Sequence, residues 1–286
     1  FGYKEKLRNL IGNVRDYQRL LKAMDGVDIV IHAAALKRLD MLEYNVEESI
    51  KTNIIGTLNV VNACLEKDVK KAVMISTDKA CSPVNTYGAC KFVSERIFTE
   101  RNYNKGNKTT ILTSVRYGNV LESTGSVIPF FVSKIERSQK IPITNPKMTR
   151  FIITPEQAVN LIFKAIKYSV GGEIFVPKLP AFNIMDLVKI IQEKYNKDTG
   201  IEIIGIRPGE KIHEFMISPT EINRTYEYKD MYIITSSIQK YISIEKFPYI
   251  DKGNKLSDTE MQSYASKNAV ISMRELKDLF EKYKIL

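Results

Sequence analysis

Tyr87 and Lys91 lie four residues apart in the stretch Ser76–Lys91, STDKACSPVNTYGACK. Four residues is close to one helical turn, so on a helix the phenol and the ammonium share a face. A phenol ordinarily titrates near ~10, and a neighbouring cation favours its charged form, which would make Tyr87 a general base near neutral pH. Such a base suits removal of a proton from an alcohol whose carbon gives up hydride. Upstream, Thr77, Asp78 and Lys79 add a hydroxyl, a carboxyl acid and an amine base. A bare Tyr-x-x-x-Lys is a weak signal, since most such pairs are a solvated tyrosine beside a surface lysine. The setting carries the argument.

That setting is a strand, a loop and a helix. Lys71–Ile75 (KAVMI) reads as a buried parallel strand, and the helix opens at about Tyr87. Thr77, Asp78 and Lys79 then fall at the carboxyl end of a strand, where open α/β sheets place their ligands. Gly26–Leu36 reads as a second buried strand, running into Ala33, Ala34 and Ala35, whose small side chains let a backbone approach a flat ligand closely or simply pack tightly. Lys37 follows at that strand's end. Glu47–Lys67 reads as a helix with Ile50, Ile54, Leu58, Val61 and Leu65 on one face and Asn53 within it.

Thr109–Arg116 is a further strand, Thr154-Pro155-Glu156 opens a helix running to Tyr168, and Gly171–Val176 is the next strand. This alternation predicts an α/β fold with a parallel sheet covered on both faces. Gly125–Phe131 breaks the rhythm and marks a crossing into a second, substrate-gripping lobe. Asn9–Arg15 reads as a short strand before Asp16, the N-cap of YQRLLKAM. Ile201–Gly209 reads as a strand running into a turn, with Glu210–Glu214 opening a helix. Arg207 suits a diphosphate, because a guanidinium makes paired hydrogen bonds to phosphate oxygens, and Glu210 could accept from both hydroxyls of a ribose. The competing reading is a strand-end arginine paired to a helix-start glutamate. His213 has no evident partner. The tail from Ser236 is polar and closes on a helix around Arg274–Phe280.

With 286 residues and 44% hydrophobic content the chain can bury a substantial core. No apolar run approaches the roughly 20 residues that span a bilayer, and no secretory leader opens the chain, so the expectation is a soluble, cytoplasmic protein. Cys64, Cys81 and Cys90 are odd in number and lack a Cys-x-x-Cys, which argues against a disulfide framework or zinc knuckle and for a reducing compartment. His32 and His213 are the only histidines, so no metal site is expected. The net charge of +10 admits nucleic acid or an anionic small ligand. The lysines are dispersed and no recognition motif is present, so no nucleic-acid partner is expected.

The segment from Ser76 to Lys91 resembles the active-site stretch of extended short-chain dehydrogenases. More narrowly, HAAALK, KTNIIGTLNVVNAC, STDKA, NTYGACK, RYGNV, GSVIPFF, MTRFIIT, GGEIFVPK and IGIRPGEKIHE resemble the inverting UDP-N-acetylglucosamine 4,6-dehydratases of the pseudaminic acid pathway. The likeness runs from about Gly12 to the end. It implies a Rossmann-like doubly wound sheet over 1–120 and about 151–178, and a smaller substrate lobe over 121–150 and 179–286. Dinucleotide folds begin with a strand and a glycine-rich turn. Neither stands here, so the first βαβ unit of such a protein is expected to lie outside this sequence.

The resemblance further implies a homo-oligomer acting on UDP-N-acetylglucosamine with tightly bound NADP. Tyr87, helped by Lys91 and Thr77, would take the 4-hydroxyl proton; Lys79 would act as base at C5 and Asp78 as acid on the departing 6-hydroxyl. For Lys79 to act as a base, its pKa is expected to be depressed by burial beside cations such as Lys91. Cofactor contacts would come from Asn13, Val14, Ala33, Ala34, Ala35, Lys37, Asn53, Tyr87 and Lys91. Substrate contacts would come from Lys37, Asn119, Ser126, Val127, Arg150, Arg207 and Glu210. Departures from the family pattern are Arg38, Leu39 and Asp40 after HAAALK, Glu122 and Thr124 after RYGNV, and Asn13 where an Asp is usual. They bear on contacts rather than on the reaction. The alternatives are a UDP-sugar 4-epimerase, which does not need Asp78 and Lys79, and a nucleotide-sugar-binding subunit without turnover.

Overall fold

The computed structural model describes residues 6–121, 127–238 and 249–285. Asp16 caps α1 (Tyr17–Ala23), accepting from the Arg19 amide at 2.9 Å. After β1 (Ile29–His32) and α2 (Leu39–Tyr44), α3 (Val46–Ser49) runs through a π-turn at Ile50–Ile55 into α4 (Gly56–Glu66). β2 (Lys71–Ile75) leads through a short 3-10 turn, Asp78–Ala80, into α5 (Thr86–Tyr103), where the Asn85 side chain accepts from the Gly88 amide at 2.7 Å. β3 (Ile111–Val115), β4 (Asn119–Val120), α6 (Val127–Glu136), β5 (Ile141–Ile143) and β6 (Thr149–Ile153) follow. α7 (Pro155–Tyr168) opens on a capping box between Thr154 and Gln157. Then come β7 (Ile174–Pro177), β8 (Ala181–Asn183), α8 (Ile184–Lys194), β9 (Ile201–Ile203), β10 (Phe215–Ile217), α9 (Pro219–Ile222), β11 (Thr225–Tyr228), β12 (Met231–Ile234), β13 (Asn254–Lys255), β14 (Tyr264–Ala265) and α10 (Met273–Lys282).

The main sheet has the order β1-β2-β3-β7-β12-β11-β13. β1, β2, β3 and β7 run parallel, as their apolar runs separated by helices require. One face is closed by Val60, Val61, Cys64 and Phe98 from α4 and α5, packed with Ala72, Met74 and Leu112. Leu161 and Ala165 of α7 close the other over Val73, Val115 and Phe175. The sheet is therefore doubly wound. A second core gathers Phe131 and Ile135 of α6, Ile141 and Ile143 of β5, Leu187 and Ile191 of α8, and Leu276 and Phe280 of α10. Among the described residues, no helix is long and apolar enough to cross a membrane.

Five expectations are corrected. Residues 9–15 form no strand: their backbone is held by side chains, with Arg19 donating to the Ile11 carbonyl and Asn59 to those of Val14 and Arg15. β1 is the outer strand of the sheet, and Ile29 and Ile31 are 44% and 48% exposed there. On the long helix, Ile50 lies at the surface, because the extra residue of a π-turn rotates what precedes it; Asn53, Thr57, Val60, Val61 and Cys64 take the buried face. Glu210–Glu214 does not open a helix but runs extended into β10, held by a Thr149–Ile212 hydrogen bond and a bridge between Thr149 and His213. Finally, β11 and β12, which the sequence placed in the substrate lobe, join the main sheet, β12 antiparallel to β7.

The π-turn also explains Asn53. Its amide donates to the Leu36 carbonyl at 2.9 Å and its side-chain oxygen accepts from the Leu36 amide at 2.8 Å, tying the loop after β1 to the helix. The Asn53 carbonyl accepts from the Thr57 and Ser94 hydroxyls at 2.7 and 2.8 Å. Asn53→Ala leaves the Leu36 amide and carbonyl without these partners. It is expected to cost about 1–3 kcal/mol, read as a lower urea midpoint with an unchanged m-value.

Candidate active site

β2 ends at Ile75, and the chain then turns sharply under α5. Thr77 caps the 3-10 turn, and its hydroxyl donates to Asp78 Oδ1 at 2.9 Å. Lys79 Nζ donates to the same oxygen at 2.9 Å, while Asp78 Oδ2 is buried with no hydrogen-bond partner. Asp78 has no exposed surface, and Lys79 keeps a fifth of its side chain open. Tyr87, in the first turn of α5, is hydrogen-bonded to Thr77 and lies close to Lys79, Asp78 and Tyr117. The structure thus brings Thr77, Asp78, Lys79 and Tyr87 into one cluster.

Lys91 sits one turn further along the same face but serves a different contact. It is 4% exposed, and its ammonium donates to the Ile75 carbonyl at 2.8 Å. Burial pulls its pKa down to about 8 against the opposing charge of Glu95. His32, at the end of β1, is pushed down to about 4 by burial and by the nearby Lys91 charge, and its Nε2 lies 3.0 Å from the Thr57 hydroxyl.

Two electrostatic expectations are corrected. Lys91 does not lower the Tyr87 phenol in this structure: burial, with Asp78 and Tyr117 adding to it, pushes the phenol up to about 12 despite Lys79 and the Thr77 hydrogen bond. Nor is Lys79 depressed. Burial pulls it down, but the Asp78 and Glu214 carboxylates outweigh both burial and the Arg150 charge, leaving the amine above its ordinary value. The cations expected to suppress it are outmatched by Asp78 together with Glu214, a carboxylate that the sequence did not place there.

The remaining residues fall into two groups. At the exit of β1, Ala33, Ala34 and Lys37 are exposed, Ala35 is partly buried, and Asn53 is buried behind them. Val14 packs where a Cβ on Gly56 would lie 2.7 Å from it, while Asn13 is exposed and accepts from the Arg15 amide. On the other side, Arg150 donates to the carbonyls of Thr149, Lys211 and Ile212 and lies 3.8 Å from Glu214. Lys211 reaches over to the Cys81 carbonyl at 2.6 Å, and Asn85 donates to the Gly209 carbonyl at 2.8 Å, so the 207–214 segment is fastened onto the loop between β2 and α5. Glu210 turns back on the Arg207 backbone, with 3.4 Å from the Arg207 amide to its carboxylate. Arg207 is exposed. Asn119 Oδ1 is buried without a partner, Val127 opens α6, and Ser126 lies outside the described residues. His213 gains the partner the sequence did not show, its Nδ1 lying 2.8 Å from the Thr149 hydroxyl.

Sequence reasoning missed Glu214, which is 3% exposed with Oε2 unpartnered and Lys211 3.7 Å away. It also missed Glu95 and Arg116, although Glu95 completes the spacing Tyr87, Lys91, Glu95 at successive turns of one helix face.

The exposed backbone at Ala33 and Ala34, the buried ammonium of Lys91 and the phenol of Tyr87 surround the carboxyl ends of β1 and β2. That donor set and its open strand exit fit a nicotinamide dinucleotide. Among the described residues, no group of three His, Cys, Asp or Glu could hold a metal ion.

The sequence profile of the polysaccharide biosynthesis protein family matches residues 2–236. The chain is 46% identical over 252 residues to a UDP-N-acetylglucosamine 4,6-dehydratase (inverting) of Campylobacter jejuni, covering 88% of this chain and 72% of that protein. The crystal structure of Pen from Bacillus thuringiensis superposes with a TM-score of 0.87 at 39% identity, over 98% of this chain and 84% of that one. DesIV, a dTDP-glucose 4,6-dehydratase of Streptomyces venezuelae solved with NAD and TYD bound, shares the fold with a TM-score of 0.68 at 19% identity, over 74% of this chain and 71% of that one.

Gly88 sits between Tyr87 and Lys91 with no room to spare: a Cβ there would lie 2.3 Å from the Lys79 carbonyl oxygen. Gly88→Ala is expected to displace the 3-10 turn and cost about 1–3 kcal/mol of stability. A thermal melt indistinguishable from the parent's would contradict this packing.

Proposed function

Because this chain belongs to the polysaccharide biosynthesis protein family, we propose that it is a nucleotide-sugar dehydratase acting on UDP-N-acetylglucosamine. The Asp78–Lys79 ion pair beside Tyr87 carries this reading. An enzyme that only oxidises an alcohol and returns the hydride needs the tyrosine; loss of water needs a further acid and base within reach of the same sugar.

When bound, a nicotinamide dinucleotide supplies the acceptor for hydride from C4 and its return to C6. The residues of the chain move the protons. Tyr87 accepts the 4-hydroxyl proton, with Thr77 hydrogen-bonded to the phenol. Asp78 and Lys79 hold one shared proton along a 2.9 Å hydrogen bond. Its passage from Lys79 to Asp78 leaves a neutral amine beside a carboxylic acid, which are the base and acid required. Lys79 then removes the C5 proton made acidic by the 4-keto group, Asp78 protonates the departing 6-hydroxyl, and the C6–O bond breaks with release of water. Proton return to the opposite face of C5 inverts that centre. Sealed from water, Asp78 delivers its proton in a low-dielectric setting.

NADP as the dinucleotide and inversion at C5 follow the resemblance to the inverting dehydratases. A homo-oligomer, a cytoplasmic location and a product destined for pseudaminic acid or a related surface glycan go with the same reading. Arg207 and Glu210 hold the nucleotide in this proposal, with Arg150 and Lys211 on the sugar side.

Incubation of the protein with NADP and UDP-N-acetylglucosamine, followed by mass and NMR analysis, tests the proposal. The expected product is lighter by one water with C5 inverted, and Lys79→Ala and Asp78→Asn abolish it. A product epimerised at C4 without loss of water overturns the reading in favour of an epimerase. Binding of the UDP-sugar without turnover favours a binding subunit.

The pH dependence has a fixed sign. Lys91 titrates at about 8, and its charged form is the stronger donor to the Ile75 carbonyl, the contact that holds α5, and with it Tyr87, over the Thr77–Lys79 turn. Turnover is expected to fall as pH rises through about 8, a limb read from kcat between pH 6 and 10.

A further inference from the structure

Arg116 stands just past the end of β3 with no exposed surface, and all five of its N–H donors are engaged. Nε and Nη2 donate to the two oxygens of Glu95 on α5, at 3.0 and 2.6 Å. Nη1 and Nη2 donate to the two oxygens of Glu221 on α9, at 2.9 and 3.0 Å, and Nη1 also reaches the Met216 carbonyl in β10 at 2.7 Å. Glu95 in turn accepts from the Ser76 hydroxyl at 2.6 Å, and Glu221 from the Ser218 amide at 3.0 Å and Arg224 at 3.2 Å. Two carboxylates thus meet two guanidiniums, and burial is offset by paired, charge-assisted bonds.

Stability alone does not account for such a network, because well-packed apolar side chains commonly do as well as a buried ion pair. What apolar packing does not supply is register. A planar guanidinium clamped on both edges admits one relative placement of the groups around it. Here those groups belong to three segments that carry the site. α5 bears Tyr87 and Lys91, Ser76 immediately precedes Thr77–Lys79, and β10 directly continues Lys211–Glu214. Lys91 makes the matching contact one residue earlier on β2, at the Ile75 carbonyl.

We propose that the Glu95–Arg116–Glu221 bridge is a positioning device that fixes the Lys211–Glu214 segment of the substrate side against Tyr87 and the Thr77–Lys79 turn, with Arg116 and Glu95 as positioning residues. The effect on turnover rests on the dehydratase reading; the effect on geometry does not. Arg116→Lys keeps the charge and loses the fork, and Glu221→Gln keeps the shape and loses one charge. Amide exchange of the free proteins, followed by mass spectrometry, reads the bridge without any turnover. Protection is expected to fall together in residues 76–80 and 212–217 of both variants, while β5 and α8 keep theirs.

With UDP-N-acetylglucosamine and NADP, Arg116→Lys is expected to lose about 10²-fold in kcat with KM little changed, the scale of a misplacement near 1 Å. Glu95→Gln removes a charge that favours the Lys91 proton, so its alkaline limb in kcat is expected to move to lower pH. The groups facing Lys91 are Glu95 and Cys90 from α5, His32 from β1 and the Ile75 carbonyl from β2. A uniform loss of protection across the molecule, with kcat per folded molecule and the pH profile unchanged, would reduce the bridge to a structural brace and overturn the proposal. Paired loss of protection in an enzyme that makes no dehydrated product would instead retain the bridge and reject the dehydratase reading. Should Arg116→Lys fail to fold, Glu221→Gln decides on the same readouts.

Discussion

A lysine ammonium shut away from water must find both an acceptor and a counter-charge, and much of this site follows from where Lys91 finds them. The acceptor is the carbonyl of Ile75, the last residue of β2, and the counter-charge is Glu95, one turn along α5. Satisfying Lys91 therefore presses α5 against the end of β2. Tyr87, one turn earlier on the same face, is then set over the residues that follow Ile75. The phenol does not reach this arrangement by contacting the lysine. Both side chains are directed at the same short piece of backbone, and their functional relation is a product of that common target.

The opposite wall is organised by charge rather than by secondary structure. Asp78 and Glu214 each keep one buried oxygen without a hydrogen bond, and Arg150 and Lys211 lie within 4 Å of Glu214 without bonding it. A buried carboxylate oxygen without a donor is costly in isolation. Two of them acting on one lysine form a preorganised field, which keeps Lys79 charged at rest and leaves acceptors ready for hydroxyl groups. The acid and the base of the proposed reaction are thus held as a single proton-sharing unit rather than as two independently tuned groups.

Local pattern made the parallel strands, the helices that cover them and the strand-end location of Thr77–Lys79 legible, because each depends on residues near one another in the chain. The helix starts at Thr154 and Asp16 were legible for the same reason. What escaped was set by partners distant in sequence. Ile50 obeyed the helical period until a π-turn shifted the face, and Lys79 met Glu214 across a gap that no spacing rule spans. Glu210–Glu214 has the composition of a helix start, yet Thr149 offers its backbone a partner in extended form, and tertiary pairing overrides local preference. The family resemblance named Thr77, Asp78, Lys79 and Tyr87, but it carried no information about the electrostatic balance among them.

The path of the chain through β7 and β12 ties assembly of the two halves together. β7 is flanked by β3 on one side and by β12 on the other, and β12 arrives only after the chain has travelled through β8, α8 and β10. The sheet cannot be completed until β8, α8 and β10 have been threaded out and back. Contacts of such long sequence separation close late, because loop entropy is lost before pairing returns it. Each half withholds from the other an edge that it needs, so the halves form a single cooperative folding unit, and cutting the chain between β7 and β12 would strip the sheet of its last strands rather than release an intact nucleotide-binding fragment.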